Sequence, residues 1–270
     1  MARLIWFVHL LKRLYGRIKY NTFLTRIPFF RNLVEKFVEE DKLFYITKDS
    51  IIPINQNVGT LEEFILPSKI VEYFIEKSNY HWIMNFCICR EAKDCKNYSH
   101  TLGCLFMGEA VLNINPKIGR LVSKEEALKH VKKCREAGLV HVLGRNKLDE
   151  LWLNAKPGNR LLTCCNCCNC CCISKVFAYG GKKVSSIAKK LPGVNVIVTD
   201  DCVGCGICTK GLCIFDAIHV VNNKAVINSD CRGCGRCVAA CPQKAIKITI
   251  DDEEYINKVI EQIEALVDVT

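Results

Sequence analysis

"CRGCGRCVAACP", residues 231–242, sets three cysteines two residues apart, a fourth three residues later, and then a proline. "CVGCGICTKGLC", residues 202–213, opens with the same rhythm but waits four residues for its last cysteine. Thiolates at every third position of a glycine-rich loop let a short piece of backbone surround a metal–sulfur core. Gly204, Gly206, Gly233 and Gly235 permit the close wrapping this needs and leave N–H groups free to point at sulfur. Strand-forming sequence brackets the pair: "VNVIVT" (194–199), "AIHVV" and "KAVIN" around Asn222-Asn223, and "AIKITI" (245–250).

This is the pattern of the two-cluster bacterial ferredoxin, in which the fourth cysteine of each motif ligates the other cluster. It predicts one [4Fe–4S] site from Cys202, Cys205, Cys208 and Cys241, and a second from Cys231, Cys234, Cys237 and Cys213. The first motif departs from the pattern, with one extra residue before Cys213 and Ile214 where proline is usual. Zinc sites are built from four-ligand sets without such interleaving.

A second concentration of thiols lies upstream. "TCCNCCNCCC", residues 163–172, contains two offset C-x-x-C-x-x-C registers: Cys164, Cys167 and Cys170, then Cys165, Cys168 and Cys171, with Cys172 left over. Each register lacks a fourth ligand, and Cys87, Cys89, Cys95 and Cys104 are available to supply one to each. These eleven cysteines allow two further cubanes, one larger or non-cubane cluster, or zinc at a four-cysteine site; a metal store needs no attached electron conduit. Cys134 falls on the apolar face of a helix opened by Ser123 and Glu126, and reads as a small buried hydrophobe. Arg90, His100, Arg120, His141, Arg145 and Arg160 lie nearby in sequence, as charge partners of an anionic centre or as ligands or proton donors in the case of the histidines. No phosphate loop, dinucleotide fingerprint or Ser/His/Asp arrangement is visible, so the catalytic residues are not readable.

Composition sets the context. The chain has 270 residues and 20 cysteines, far too many for ordinary usage, and no apolar stretch reaches the roughly 18 residues of a membrane span. "LIWFVHLL" (4–11) runs directly into Lys12 and Arg13 without a cleavage site, so a reducing cytoplasm is the expected compartment. The net charge of +10 is concentrated in the first 34 residues and in residues 151–199, each with seven basic residues and no acidic one. Anionic clusters, an acidic redox partner or the inner face of a membrane account for such charge, and no nucleic-acid module is expected.

The expected architecture is α+β. A basic amphipathic helical segment occupies residues 1–45, with Leu4, Phe7, Val8, Leu11, Leu14, Tyr15 and Ile18 on one face, suited to a partner or a peripheral membrane position. A cysteine-rich α/β metal-binding domain spans 46–175, a basic connector 176–193, a two-[4Fe–4S] ferredoxin domain 194–252, and a C-terminal helix 253–270.

"CICREAKDC", "GCLFMGEAV", "GRLVSKEEAL", "GLVHVLG" and "TCCNCCNCCC", in this order and followed by the ferredoxin motifs, resemble a largely uncharacterised family of ferredoxin-domain proteins of strict anaerobes. The likeness covers about residues 80–250. It implies [4Fe–4S] binding and gives no substrate. The paired cysteines also resemble the cysteine-rich modules of heterodisulfide reductases, which hold a non-cubane cluster, although here the run reads CCN rather than CCG. The function expected is a redox protein passing low-potential electrons from the ferredoxin domain to a middle iron–sulfur site, which either reduces a small substrate or disulfide or only relays the electrons. The alternatives are an electron-transfer subunit without its own substrate and a cluster or metal carrier.

Overall fold

A computed structural model describes residues 5–17, 35–36, 40–49, 66–179, 182–252 and 254–270. Residues 1–4, 18–34 and 37–39 of the expected N-terminal helical segment lie outside these residues. In chain order the described elements begin with α1 (Ile5–Arg17), β1 (Lys42–Tyr45), α2 (Ser68–Lys77), β2 (His81–Met84), α3 (Ile88–Ala92), β3 (Leu105–Met107) and β4 (Gly119–Val122). They continue with α4 (Lys124–Glu136), β5 (Val140–Arg145), α5 (Lys147–Leu153), β6 (Leu162–Cys167), α6 (Val176–Tyr179), α7 (Lys182–Ser185) and β7 (Ala188–Lys190). The last part contains β8 (Val194–Val198), β9 (Ile218–Val221), β10 (Lys224–Ile227), α8 (Arg236–Ala240), β11 (Ile246–Ile250) and α9 (Tyr255–Glu264).

Seven strands form one sheet in the order β4-β2-β3-β6-β5-β1-β7, antiparallel throughout except for the β1–β7 pair. The edge strand β7 comes from the stretch read as the basic connector, and β1 joins it to the sheet from the short strand expected near Leu43–Thr47. β6, which carries the first three cysteines of the run, lies in the middle between β3 and β5. A strand turns successive side chains to opposite faces. Phe44, Ile83, Leu105, Met107, Leu143, Leu162 and Cys164 therefore share one face, packed against Phe74 of α2, Val131 of α4 and Val259 and Ile263 of α9. Leu43, Tyr45, Trp82, Met84, Phe106, Val140, Val142, Cys165 and Cys167 point the other way. Helices close the first face, and cysteines and the ferredoxin region cover much of the second.

Local chemistry sets the element ends. Ser123 Oγ accepts the Glu126 N–H at 3.2 Å and caps α4, while the Glu126 carboxylate pairs with Arg120 instead of completing a reciprocal box. Asn222 and Asn223 both adopt left-handed conformations, which gives the β9–β10 hairpin its two-residue turn. α9 buries Tyr255, Ile256, Val259 and Ile263 against the sheet's helical face, and so joins the core of the middle region. Among the described residues, no helix is long and apolar enough to cross a membrane.

Gly144 sits where β5 meets β1 most closely. A Cβ built there would lie 1.9 Å from the Lys42 carbonyl oxygen, which is backbone and cannot move aside cheaply. Gly144→Ala is expected to part the two strands and lower stability by about 1–3 kcal/mol, the usual cost of overpacking. A lower thermal midpoint by circular dichroism checks this, with an unchanged midpoint the contrary result.

Candidate metal centre

The ferredoxin cysteines draw together as their interleaving requires. Cys202, Cys205, Cys208 and Cys241 line one small cavity, with Gly204 and Gly206 in its wall. On the other side, Cys237 has Cys234, Cys231 and Cys213 as its electrostatic neighbours. Backbone N–H groups reach the sulfurs: Ala225 to Cys202 at 3.4 Å, Ala217 to Cys213 at 3.3 Å and Gly233 to Cys231 at 3.4 Å. Such bonds support thiolate charge on an iron–sulfur centre. Gly204 has φ +65° and a Cβ there would meet the Asn223 carbonyl oxygen at 2.4 Å, so the wrapping needs glycine at this position. Donor type, interleaving and inward N–H groups all fit cubane clusters. The first quartet is the more accessible, with Cys205 exposed and Val203 beside it 62% exposed.

The middle cysteines sort differently from the two registers expected. β6 sends Cys164 to the helical face, where it lies in apolar core with its Sγ 4.0 Å from His141 Nδ1. Burial there pushes its thiol pKa up, which favours the neutral thiol. Cys134 is likewise wholly buried, and burial pushes it to about 12. The other ten form two groups on the opposite face. Cys95, Cys168, Cys170 and Cys171 bring their sulfurs within 4.8 Å of one another. This tetrad mixes both registers, because the chain leaves the strand after Cys167 and turns. A fourth thiol does arrive from the upstream group, and it is Cys95.

The remaining six line a cavity of about 260 Å³. Cys104 Sγ lies 3.7 Å from Cys165 Sγ, and Cys172 Sγ 3.2 Å from Cys167 Sγ. Cys165 interacts with Cys167, and Cys89 with both Cys172 and Cys87, so the six are linked in sequence around the wall. Hydrogen bonding from Cys167 and Cys89 holds Cys172 well below the ordinary thiol range, and a bond from Cys89 brings Cys87 down to about 7. Neighbouring thiols and burial push Cys89, Cys165 and Cys167 up, so the thiolate character of the wall rests on Cys172 and Cys87. Cys168 lines the cavity as well as belonging to the tetrad, so the two groups touch.

Two buried arginines organise this face. Arg90 is wholly buried and donates Nε to Ser99 O at 2.9 Å, Nη1 to Asn166 O at 2.8 Å and Nη2 to Leu102 O. Burial opposes its charge, but Cys87, Cys104, Cys168 and Cys167 outweigh that and raise its pKa. Arg236, also buried, donates Nη2 to Cys167 O at 2.7 Å and approaches Cys234 Sγ with Nη1 at 3.9 Å. It therefore joins the second ferredoxin quartet to the six-thiol cavity. Of the other basic candidates, His100 bonds the Cys95 carbonyl through Nε2 at 3.0 Å, and Arg120, Arg145 and Arg160 pair with Glu126, Glu40 and Glu109. His141 bonds Asn166 Oδ1 through Nδ1 at 2.7 Å, and burial pushes it down to about 4, so it is neutral.

Sequence reasoning missed Asp41, Asp149 and Tyr15, which line the cavity. None carries a motif; they arrive from β1's entry, from α5 and from α1. Asp149 accepts from Trp152 Nε1 at 2.8 Å and from Asn146 Nδ2 at 2.7 Å. Asp41 accepts the Lys147 N–H at 2.9 Å, yet burial outweighs that bond and raises its pKa to about 7.

The family model for a 4Fe-4S dicluster domain matches residues 201–246. No curated protein and no solved structure matches the chain. The chain thus carries a 4Fe–4S ferredoxin-type domain beside a cysteine-rich region in which four cysteines converge closely enough to hold a metal ion.

Two outcomes are expected from these contacts. Arg90→Met removes the donor for three buried carbonyls and the cation among four cysteines, a loss of about 3 kcal/mol or more. Iron in the middle region should fall while the ferredoxin-domain EPR signal persists; equal metal content in both proteins would refute the assignment. For Asp41, a folded pKa above the unfolded one means that the native state holds the extra proton. Its contribution is therefore favourable below the unfolded carboxylate range and is lost as pH rises toward about 7. Asp41→Asn should raise the thermal midpoint at pH 8 and change it little at pH 4, as melts at both pH values would report.

Proposed function

We propose that the chain is an iron–sulfur electron-transfer protein in which the ferredoxin domain feeds a multinuclear iron–sulfur site in the six-thiol cavity. Cys202, Cys205, Cys208 and Cys241 would hold the outer [4Fe–4S] cluster, and Cys213, Cys231, Cys234 and Cys237 the inner one. Bound clusters supply one-electron chemistry; this chain's residues set where the electrons enter and what they meet. The observation that carries the reading is Arg236, whose one guanidinium reaches both Cys234 of the inner quartet and Cys167 of the cavity. The seam around it is packed. Tyr45 meets Phe215 edge-on at 5.1 Å, Thr47 Oγ1 donates to Gly233 O at 2.9 Å, and Asn169 Nδ2 donates to Gly211 O at 3.1 Å. A protein whose modules acted separately would have no use for such a seam.

The exposed edge at Cys205, Val203 and Ile207 suits a redox partner that delivers electrons. The basic residues and the exposed Trp6, Leu10 and Leu14 of α1 suit an acidic partner or the inner surface of a membrane. Within the cavity, Asp41 and the apolar walls of Trp152 and Phe177 favour reduction of a small molecule over simple relay. A bound cluster with one open iron position would leave those walls to shape the substrate and Asp41 to hold a proton.

Anaerobic purification, iron and sulfide counting and EPR test this. Iron well above about eight per chain is expected, the surplus beyond two cubanes belonging to the middle region. Arg236→Met should keep that iron content and slow reoxidation of the prereduced ferredoxin domain by the middle site at least tenfold. Iron limited to the ferredoxin complement, or unchanged transfer in the variant, would remove the proposal.

A further inference from the structure

The tetrad and the cavity are both rich in thiols, but their geometries differ in kind. All four tetrad sulfurs lie within 4.8 Å of one another, with Cys95 and Cys170 at 3.4 Å and Cys170 and Cys171 at 3.6 Å. Metal–sulfur bonds of about 2.3 Å in a tetrahedron put four sulfurs about 3.8 Å apart. In a cubane each thiolate sits on its own iron, so the sulfurs are spread beyond the distance that one metal ion imposes. Among the described residues, no other three candidate ligands converge this closely, and neither ferredoxin quartet does. The six cavity thiols approach one another only in sequence around a wall.

We infer that Cys95, Cys168, Cys170 and Cys171 bind a single divalent ion in a closed all-thiolate tetrahedral site, of the class that zinc or ferrous iron occupies. On binding, each thiol gives up its proton to solvent and four sulfur–metal bonds form, with no change of oxidation state. Backbone donors already meet two of the sulfurs: the N–H groups of Asn97 and Tyr98 bond Cys95, and that of Cys171 reaches Cys168 Sγ at 3.3 Å. All four positions are filled by protein, so the ion is structural.

Its place in the fold gives it a task. Cys95 lies in the loop after α3, and the other three lie in the turn after β6. The ion fixes these two segments to each other. Asn169, inside that turn, accepts from Tyr98 OH at 3.3 Å and donates to Gly211 of the ferredoxin region. The ion therefore holds the seat on which the ferredoxin domain rests, and it stands outside the electron path proposed above.

The test uses the full-length protein purified without oxygen. Cys95→Ser and Cys170→Ser should each lose about one metal ion per chain, zinc or iron, with acid-labile sulfide unchanged. Loss of several irons together with sulfide would identify a cubane and overturn the inference, as would no loss at all. The unmodified protein produced in cobalt-supplemented medium gives a second measurement that does not depend on the variants folding. It should carry one cobalt per chain with the visible bands of a tetrahedral tetrathiolate site, displaced by added zinc; their absence counts against the ion. A failure of the electron-path reading appears elsewhere, as missing iron in the cavity with the tetrad ion still bound.

Discussion

The alternation of side chains along one central strand governs this molecule. β6 turns Leu162 and Cys164 toward the helices and Cys165 and Cys167 toward the metal face. A shift of one residue in its pairing with β3 and β5 would carry thiols into the apolar core and apolar side chains into the cavity. The register is held from both sides, since Leu105 pairs with Cys164 on one edge and Leu143 with Cys164 on the other. Everything on the metal face follows from that placement. Arg90 can reach the Asn166 carbonyl, and Arg236 the Cys167 carbonyl, only because the strand presents them there.

The two faces divide the work of the sheet. The helical face buries α2, α4 and α9 with ordinary apolar packing, the dominant favourable term in folding. The metal face is polar at heart, with ten thiols, two buried guanidiniums and two carboxylates. Buried charge of that kind is tolerated only when partnered, and here the partners are thiolates and backbone carbonyls. α9, at the far end of the chain, closes the core of the sheet and so ties the ferredoxin region to it.

Much of this was legible in residue spacing. The paired C-x-x-C-x-x-C motifs, the Asn222-Asn223 turn and the Ser123 cap are local chemistry, readable because each depends on neighbours in sequence. The Ser68–Lys77 helix follows its apolar period. What spacing does not carry is the partition of the run, which follows strand geometry to Cys167 and a turn thereafter, where an every-third-residue reading assumes one conformation throughout. The choice of Cys95 over Cys87, Cys89 or Cys104 is likewise a matter of tertiary approach. β7 is three residues long, too short for a period to declare itself, and its basic residues read as connector. Asp41 and Asp149 carry no motif that would set them apart from the aspartates that line most protein surfaces.

Arg236 and Arg90 have a consequence for the direction of current. Reducing any iron–sulfur centre adds a negative charge, and doing so in a dry interior is opposed more strongly than at the surface. Left to burial alone, an electron would favour the accessible Cys205 end and stay there. The two fixed, desolvated cations oppose that gradient, lowering the cost of extra charge beside Cys234, Cys167, Cys87 and Cys104. On the proposed electron-transfer reading, they would act as a built-in bias voltage, favouring the centre of the molecule over the rim as the resting place of an electron.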